Sequence, residues 1–189
     1  MSEVGMSKSK FTCKQCNSPI PTKLVKKYNF NVCPICGHLY PKCIEDIRQY
    51  FRIIQLSEEL EKAGNLILKS EMVAAVREAI VVLETLVKEL SGLIDLTGSD
   101  LMAKAFSFKT DPQTKEVTEK PKIPISDLST VSKRNEQAGI QFVAMGLMQG
   151  VRNIFMHSKG TEKLFYCIQV ITTIDFLLKQ IVGWGAIAK

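Results

Sequence analysis

Residues 139–160, GIQFVAMGLMQGVRNIFMHSKG, form the stretch on which the predicted fold depends. We predict that it is a helix, and at about 100° per residue one of its faces collects small and polar side chains. The members of that face lie within roughly 60° of one another and are Gly139, Gly146, Gly150, Asn153 and His157. Glycine inside a helix costs about 1 kcal/mol relative to alanine, so three on one face suggest that another backbone approaches closely. The alternative is an ordinary tight helix crossing that ends in a hydrogen-bonded histidine.

Helical patterns continue on both sides of this stretch. Residues 44–69 carry apolar side chains at helix-like spacing, with a possible break at Ser57. Residues 70–90 form a clearer apolar stripe that ends at Ser91 and Gly92. Further helices are predicted after Ser99, Ser132 and Thr161. The sequence therefore predicts an all-α class, a helical bundle.

Two other segments divide the chain. Residues 107–130 contain three prolines among polar residues, which predicts a loop that either covers a nucleotide cleft or is a tolerated excursion. The N-terminal quarter is rich in cysteine. We therefore predict a zinc ribbon at 1–43, a connecting helical segment at 44–69 and a helical domain at 70–189.

Four of the six cysteines form two Cys-x-x-Cys pairs separated by 16 residues. The proposed ligands are Cys13, Cys16, Cys33 and Cys36. This spacing is typical of a structural Zn²⁺ site, in which four thiolates fill the tetrahedron and leave no position for water. A disulfide framework is the alternative. We expect the metal to supply the folding energy of so short a segment.

The positive charge of the chain is concentrated near its N-terminus. Residues 1–43 contain seven lysines and one glutamate, whereas residues 44–189 contain equal numbers of basic and acidic residues. Lysines interleaved with aromatic residues could contact a nucleic acid, and contact with another protein is the rival interpretation.

The chain has no uninterrupted apolar run of 18 residues and no apolar signal region near Met1. The segment from Leu164 comes nearest to a membrane span, but Gln169, Asp175 and Lys179 interrupt it. We therefore expect no contact with a membrane and a cytoplasmic location.

The segment 152–157 consists of Arg152, Asn153, three apolar residues and His157. This order of an arginine, a polar residue and, after a short spacer, a histidine resembles the signature of the HEPN superfamily. With residues 75–79 (AVREA), 98–106 (GSDLMAKAF), 136–137 (EQ) and 145–153 (MGLMQGVRN), the chain resembles the Ymh-type family of bacterial HEPN proteins. The resemblance implies a HEPN-like helical bundle and metal-independent RNA cleavage at a composite site in a homodimer. It also implies a role in antiviral defence or in toxin-like growth arrest.

The motif residues suit this chemistry. An imidazole can accept and return protons at neutral pH, so His157 would be the general base or acid. A guanidinium carries a fixed charge for phosphate, so Arg152 would stabilise the phosphoryl group, and Asn153 would orient the imidazole, contact phosphate or only bond its own helix. We expect no catalytic metal.

The spacing places Arg152 about 140° from His157 in a regular helix, so one chain does not bring both groups to one phosphate. Either the helix ends or kinks near His157, or two chains pair through the Gly139, Gly146 and Gly150 face and combine their motifs. The predicted function is a metal-independent endoribonuclease. A non-catalytic dimer that binds RNA or a nucleotide, and a structural dimerisation adaptor, are the alternatives.

Overall fold

A computed structural model describes residues 11–20, 33, 36, 38, 39, 41–157 and 164–187, and helices account for most of them. The helices are α1 (Pro41–Ile53), α2 (Glu61–Leu68), α3 (Met72–Ser91), α4 (Gly98–Phe106), α5 (Val131–Gly146), α6 (Arg152–His157) and α7 (Leu164–Ile187). A 3₁₀ turn at Glu58–Leu60 precedes α2, and a π-helical turn at Leu147–Val151 joins α5 to α6. The predicted all-α class is confirmed.

Helix α3 lies at the centre of the bundle and packs against α2, α4, α6 and α7. Its apolar stripe is buried from Met72 to Val87. The stripe was also predicted to include Leu90, which is exposed in the last turn of the helix. Gly92 ends α3 in the left-handed conformation, at φ +70°, and its N–H donates to the carbonyl of Lys88. The predicted end of this helix is therefore confirmed.

Helix α7 places its predicted stripe in the same core. The buried residues of that stripe are Leu164, Ile168, Ile171, Ile174, Leu178 and Ile181. Asp175 is also buried, and its carboxylate accepts hydrogen bonds from the backbone N–H and hydroxyl of Ser57, at 2.8 and 2.7 Å. Lys179 Nζ lies 2.7 Å from the same carboxylate. These contacts fasten the break between α1 and α2 to the last helix.

Residues Leu164–Gly183 are long and apolar enough to cross a membrane by length and composition alone. Nearly half of that window is buried inside the protein, and a core helix meets the same criteria. This single helix is therefore weak evidence for a membrane span.

Part of the predicted loop at 107–130 has regular structure. Strands β3 (Lys109–Thr110) and β4 (Val117–Glu119) pair antiparallel as a short hairpin. The remainder is fixed to the bundle by buried Ile123, Ile125 and Leu128. The prediction of an irregular loop was wrong for the hairpin, because a two-stranded ribbon this short leaves no readable alternation in the sequence.

Helix ends differ from the predicted ones by a few residues. Thr130, and not Ser132, caps α5, because its hydroxyl accepts the N–H of Lys133. Helix α4 begins at Gly98, after Thr97, two residues earlier than the Ser99 cap predicted. The predicted break at Ser57 is confirmed, since α1 ends at Ile53 and the 3₁₀ turn follows Ser57.

Candidate functional site

The four cysteines of the N-terminal pairs converge on one point. Their sulfur atoms all lie within 4.8 Å of one another. Cys13 Sγ lies 3.7 Å from Cys36 Sγ, and Cys16 Sγ lies 3.9 Å from Cys33 Sγ. Four sulfurs about 2.3 Å from a central Zn²⁺ form a tetrahedron with edges of roughly 3.8 Å, so the donor set fits this metal in type and size.

The same backbone hydrogen bond occurs at both Cys-x-x-Cys pairs. Cys13 N–H donates to Ser18 O at 3.1 Å, and Cys33 N–H donates to His38 O at 2.8 Å, so each pair opens a turn closed by a bond to the fifth residue ahead. Strands β1 (Phe11–Thr12) and β2 (Pro19–Ile20) pair antiparallel around the first turn. Backbone N–H groups, first that of Cys16, lower the pKa of the Cys13 thiol to about 6, whereas burial among the other thiols raises the pKa of the Cys36 thiol to about 12. A metal requires all four as thiolates, so its own charge must supply the stabilisation that Cys36 lacks.

Cys13, Cys16, Cys33 and Cys36 form no disulfide in the described structure, which argues against the disulfide framework. Cys43 and Cys167 are buried and lie outside the cluster. His38 is not part of the cluster either. The described structure therefore contains a cysteine cluster compatible with a structural metal site.

This cluster continues directly into the helical bundle. Leu39 and Cys43 are buried in the main hydrophobic core and not in the small core around the cysteines. Leu39 N–H also donates to Ser70 Oγ, at 3.3 Å, in the turn before α3. Most of the lysines and aromatic residues of the predicted basic patch lie outside the described residues, as do the turn at 158–160 and the Thr161 cap.

The second candidate site is the motif at the end of the central helix. Between α5 and α6 the backbone takes a π-helical turn, in which Arg152 N–H donates to Leu147 O five residues earlier. Such a turn inserts one residue into the helix and rotates everything that follows it, and π-helical turns are frequent at functional sites. The predicted helix is confirmed from Gly139 to His157, but the regular spacing that placed Asn153 and His157 on the face of Gly139 and Gly146 does not hold across this turn.

Arg152 is held on the side of α6 that faces α3. Its Nε lies 3.7 Å from Glu84 Oε2, and its guanidinium is partly buried. The other oxygen of Glu84 accepts the N–H of Gly98, at 2.5 Å. Gly98 has a φ of +58°, which glycine adopts without strain, and a Cβ there would lie 3.8 Å from Arg152 Nη1.

The far end of α6 is held by Arg77. Its Nε donates to Phe155 O at 3.0 Å, and its Nη2 donates to Met156 O at 3.2 Å. These carbonyls belong to the last turn of α6 that the structure describes. Phe155 is fully buried and stacks on Tyr166 of α7, with ring centroids 5.6 Å apart.

Asn153 and His157 point away from the bundle. Asn153 Nδ2 donates to Gln149 O, at 2.8 Å, within its own helix. This bond is the one expected if Asn153 only bonds its own helix and does not orient the imidazole or contact phosphate. His157 is exposed, and none of the described residues hydrogen-bonds its imidazole. Within one chain, Arg152 therefore pairs with Glu84. Among the described residues, no hydrogen bond or ion pair joins Arg152 to Asn153 or to His157.

The predicted glycine face is exposed along its whole length. Nothing lies within 4 Å of a Cβ built at Gly139, Gly146 or Gly150, so packing within the chain does not require these glycines. Phe142 on the same helix is 69% exposed, and Phe165 near the start of α7 is 71% exposed. A groove of about 290 Å³ runs between this face and α7. It is lined by Val143, Gly146, Leu147, Val151, Tyr166, Gln169, Val170 and Thr173.

Sequence analysis missed two residues at this site, Arg77 and Glu84. Arg77 lies in the AVREA segment (75–79), which supported only the family resemblance, and no sequence pattern pointed to Glu84 as a site residue. They are seven residues apart on α3, which places them about 20° apart around the helix axis. That spacing shows that the two opposite charges share one face of α3, but it does not show which helix the face meets.

Fold and sites together define a helical bundle with an N-terminal four-cysteine cluster. A family model matches residues 57–181, and the chain belongs to this family, Hypoth_ymh, described as a protein of unknown function. The match confirms the Ymh-type family that the motifs predicted, and it begins after the cysteine cluster. Neither a curated protein nor a solved structure matches the chain.

Proposed function

We propose that this protein is an endoribonuclease of HEPN type that cleaves RNA without a catalytic metal. The observation that carries the proposal is the motif helix itself: Arg152, Asn153 and His157 lie in one short helix, and the imidazole is exposed. The HEPN resemblance of this motif adds the reaction class, because the Hypoth_ymh family brings no activity with it.

The reaction needs few groups. An imidazole takes the proton of the ribose 2′-OH, and the 2′-oxygen bonds to phosphorus as the bond from phosphorus to the 5′-oxygen breaks. The 5′-oxygen leaves with a proton from a second acid. The products are a 2′,3′-cyclic phosphate and a 5′-hydroxyl. A guanidinium stabilises the negative charge on the phosphoryl oxygens during this exchange.

A homodimer supplies both proton-transfer groups. We propose that two chains pair through the Gly139, Gly146 and Gly150 face, so that one His157 acts as base and its copy as acid. The open space above the glycines and the exposed Phe142 and Phe165 support this pairing. Two-fold pairing of identical faces is also the commonest symmetry of oligomers.

We propose Zn²⁺ as the metal of the cysteine cluster and a structural role for it. Four thiolates occupy every tetrahedral position, so the ion has no site for substrate or water. The basic N-terminal segment would recruit RNA or a protein partner. The biological role proposed is antiviral defence or toxin-like growth arrest, and it rests on the HEPN resemblance alone.

A non-catalytic dimer that binds RNA or a nucleotide is the second candidate. The contact between Arg152 and Glu84 favours it, because a paired guanidinium is less available to phosphate. A dimerisation adaptor is the third, and the exposed glycine face alone would serve it. RNA binding that is lost with Arg152→Ala separates the second candidate from the third.

The test is incubation of purified protein with mixed RNA in EDTA, for a time short enough to keep the cluster metal bound. His157→Ala and Arg152→Ala are assayed in parallel. Arg52→Ala is the matched control, because it removes an exposed arginine from α1. We expect cleavage by wild type and Arg52→Ala, with cyclic-phosphate ends, and a loss of at least about 100-fold in His157→Ala.

Equal cleavage by wild type and His157→Ala would contradict the assignment of the base and indicate contamination or another site. RNA binding without cleavage by wild type would favour the binding dimer. Neither binding nor cleavage would favour the adaptor.

A further inference from the structure

Two opposite charges on α3 hold the two ends of the motif helix. Glu84 contacts the side chain of Arg152, the first residue of α6, and Arg77 donates to the carbonyls of Phe155 and Met156 near its end. Along α3 the order is Arg77 then Glu84, and along α6 the order of their partners is reversed. The two helices therefore run antiparallel, with one polar contact at each end of their crossing.

The π-helical turn explains why α6 needs these contacts. In a continuous α-helix, the rotation of each turn follows from the one before. At Leu147–Val151 the hydrogen bonds skip to the fifth residue, so α5 does not by itself fix the rotation of α6. A six-residue helix also has little stability of its own. Contacts from α3 therefore add to the constraints on where the motif residues point.

The two contacts act on different motif residues. Glu84 accepts Gly98 N–H through one oxygen, which fixes the carboxylate, and presents the other oxygen to Arg152 Nε. Arg77 occupies the carbonyl of Met156, the residue directly before His157. The first contact sets the direction of the guanidinium, and the second sets the last turn from which the imidazole projects.

We propose that Arg77 and Glu84 are positioning residues of the candidate site, forming a two-point clamp that fixes the rotation of the motif helix. Arg77 sets the position of His157, and Glu84 sets that of Arg152. The geometric part of this proposal stands on the contacts alone, while its effect on RNA cleavage rests on the proposed function.

The chain offers a simple probe of the clamp, because it contains only two histidines, His38 and His157. With ¹³C-labelled histidine, each gives one Cε1–Hε1 resonance, and His38 in the N-terminal segment serves as the internal reference. We expect Arg77→Gln to shift and broaden the His157 resonance and to leave that of His38 unchanged. Hydrogen exchange of the 152–157 amides should become faster in the same variant.

Glu78→Gln is the matched control for these spectra. Glu78 is the neighbour of Arg77 on α3, but its carboxylate pairs with Lys62 of α2, at 2.9 Å. We expect the two histidine resonances and the exchange of residues 152–157 to match wild type. Arg77→Lys, which keeps the charge but cannot bridge two carbonyls with a planar fork, should give a smaller shift in the same direction.

The other end of the clamp is tested with Glu84→Gln, which keeps an acceptor for Gly98 N–H and removes the charge. We expect the Nε–Hε resonance of Arg152 to move, with little change at His157. In RNA cleavage, Arg77→Gln and Glu84→Gln should lower kcat by roughly 10-fold or more and change KM little.

Each outcome decides one proposal. Folded Arg77→Gln or Arg77→Lys with an unchanged His157 resonance and unchanged exchange would overturn the clamp. Shifted resonances with wild-type kcat would overturn its positioning role. If wild type cleaves no RNA, the proposed function fails, and the two spectroscopic measurements still decide the clamp.

Discussion

At the residue scale, the side chain of Gln137 connects α5 to the segment after the hairpin. It is completely buried, accepts Ile125 N–H at 2.7 Å, and donates to Phe106 O and Ile123 O at 2.9 and 3.1 Å. Gln137→Leu would leave three buried backbone groups without partners, at about 1–3 kcal/mol each before relaxation. We expect the free energy of unfolding to fall by about 3 kcal/mol in denaturant titration.

Gln141→Leu is the control for this change, since Gln141 on the same helix makes one bond, to Ala103 O, and is half-buried. We expect it to cost about 1 kcal/mol. Equal losses in the two variants would show that Gln137 does not anchor the segment.

Gly98 combines a left-handed backbone with a contact to the motif. Gly98→Ala should lower the free energy of unfolding by about 1–2 kcal/mol, because alanine resists a φ of +58°. Gly92→Ala should cost the same, since its φ is +70° and nothing lies within 4 Å of the new Cβ. Only Gly98→Ala should also move the Arg152 Nε–Hε resonance, because Gly98 N–H bonds the carboxylate of Glu84, which contacts Arg152. If both variants moved that resonance equally, the result would count against this contact.

At the scale of the element, the glycines of α5 reduce the stability of their own helix. Gly139→Ala should raise the melting temperature of the monomer by roughly 2–4 °C, because it restores about 1 kcal/mol of helix propensity and meets no atom within 4 Å. The same change should weaken the proposed dimer, where a partner backbone occupies that space. Thermal melts and analytical ultracentrifugation measure the two effects.

Thr85→Ala on α3 is the matched control, since it raises helix propensity at an exposed position outside the glycine face. It should raise the melting temperature and leave association unchanged. Undiminished association of Gly139→Ala and Gly146→Ala would place the dimer interface elsewhere.

At the scale of the whole molecule, the cysteine cluster has a small core of its own, and the chain that leaves it is buried at once in the main core of the bundle. We expect one Zn²⁺ per chain, released by a mercurial thiol reagent and counted with a colorimetric chelator. After release, residues 11–20 around the first cysteine pair should lose their protection from hydrogen exchange, and α1 should follow, because Leu39 and Cys43 are buried in the main core. Helices α3, α4 and α5 should keep theirs.

Cys16→Ser should reduce the bound metal, whereas Cys43→Ala should keep one ion per chain, since Cys43 is outside the cluster. Full Zn²⁺ occupancy of Cys16→Ser would contradict the assigned ligands.

The sequence by itself determined the helical class, the family and the four clustered cysteines. Each of these depends on local spacing: the 3.6-residue period of α3 and α7, the ordered motifs, and two Cys-x-x-Cys turns. Short-range geometry fixes such features before any long-range contact forms.

Only the tertiary structure decided how the motif is presented. The π-helical turn lies between Gly146 and α6, so the direction of Arg152 and His157 relative to Gly139 and Gly146 could not be calculated from residue spacing in a regular helix. Arg77 and Glu84 reach the motif from 68 to 79 residues away in sequence. No local pattern encodes a contact of that range, because it exists only after α3 and α6 have packed together.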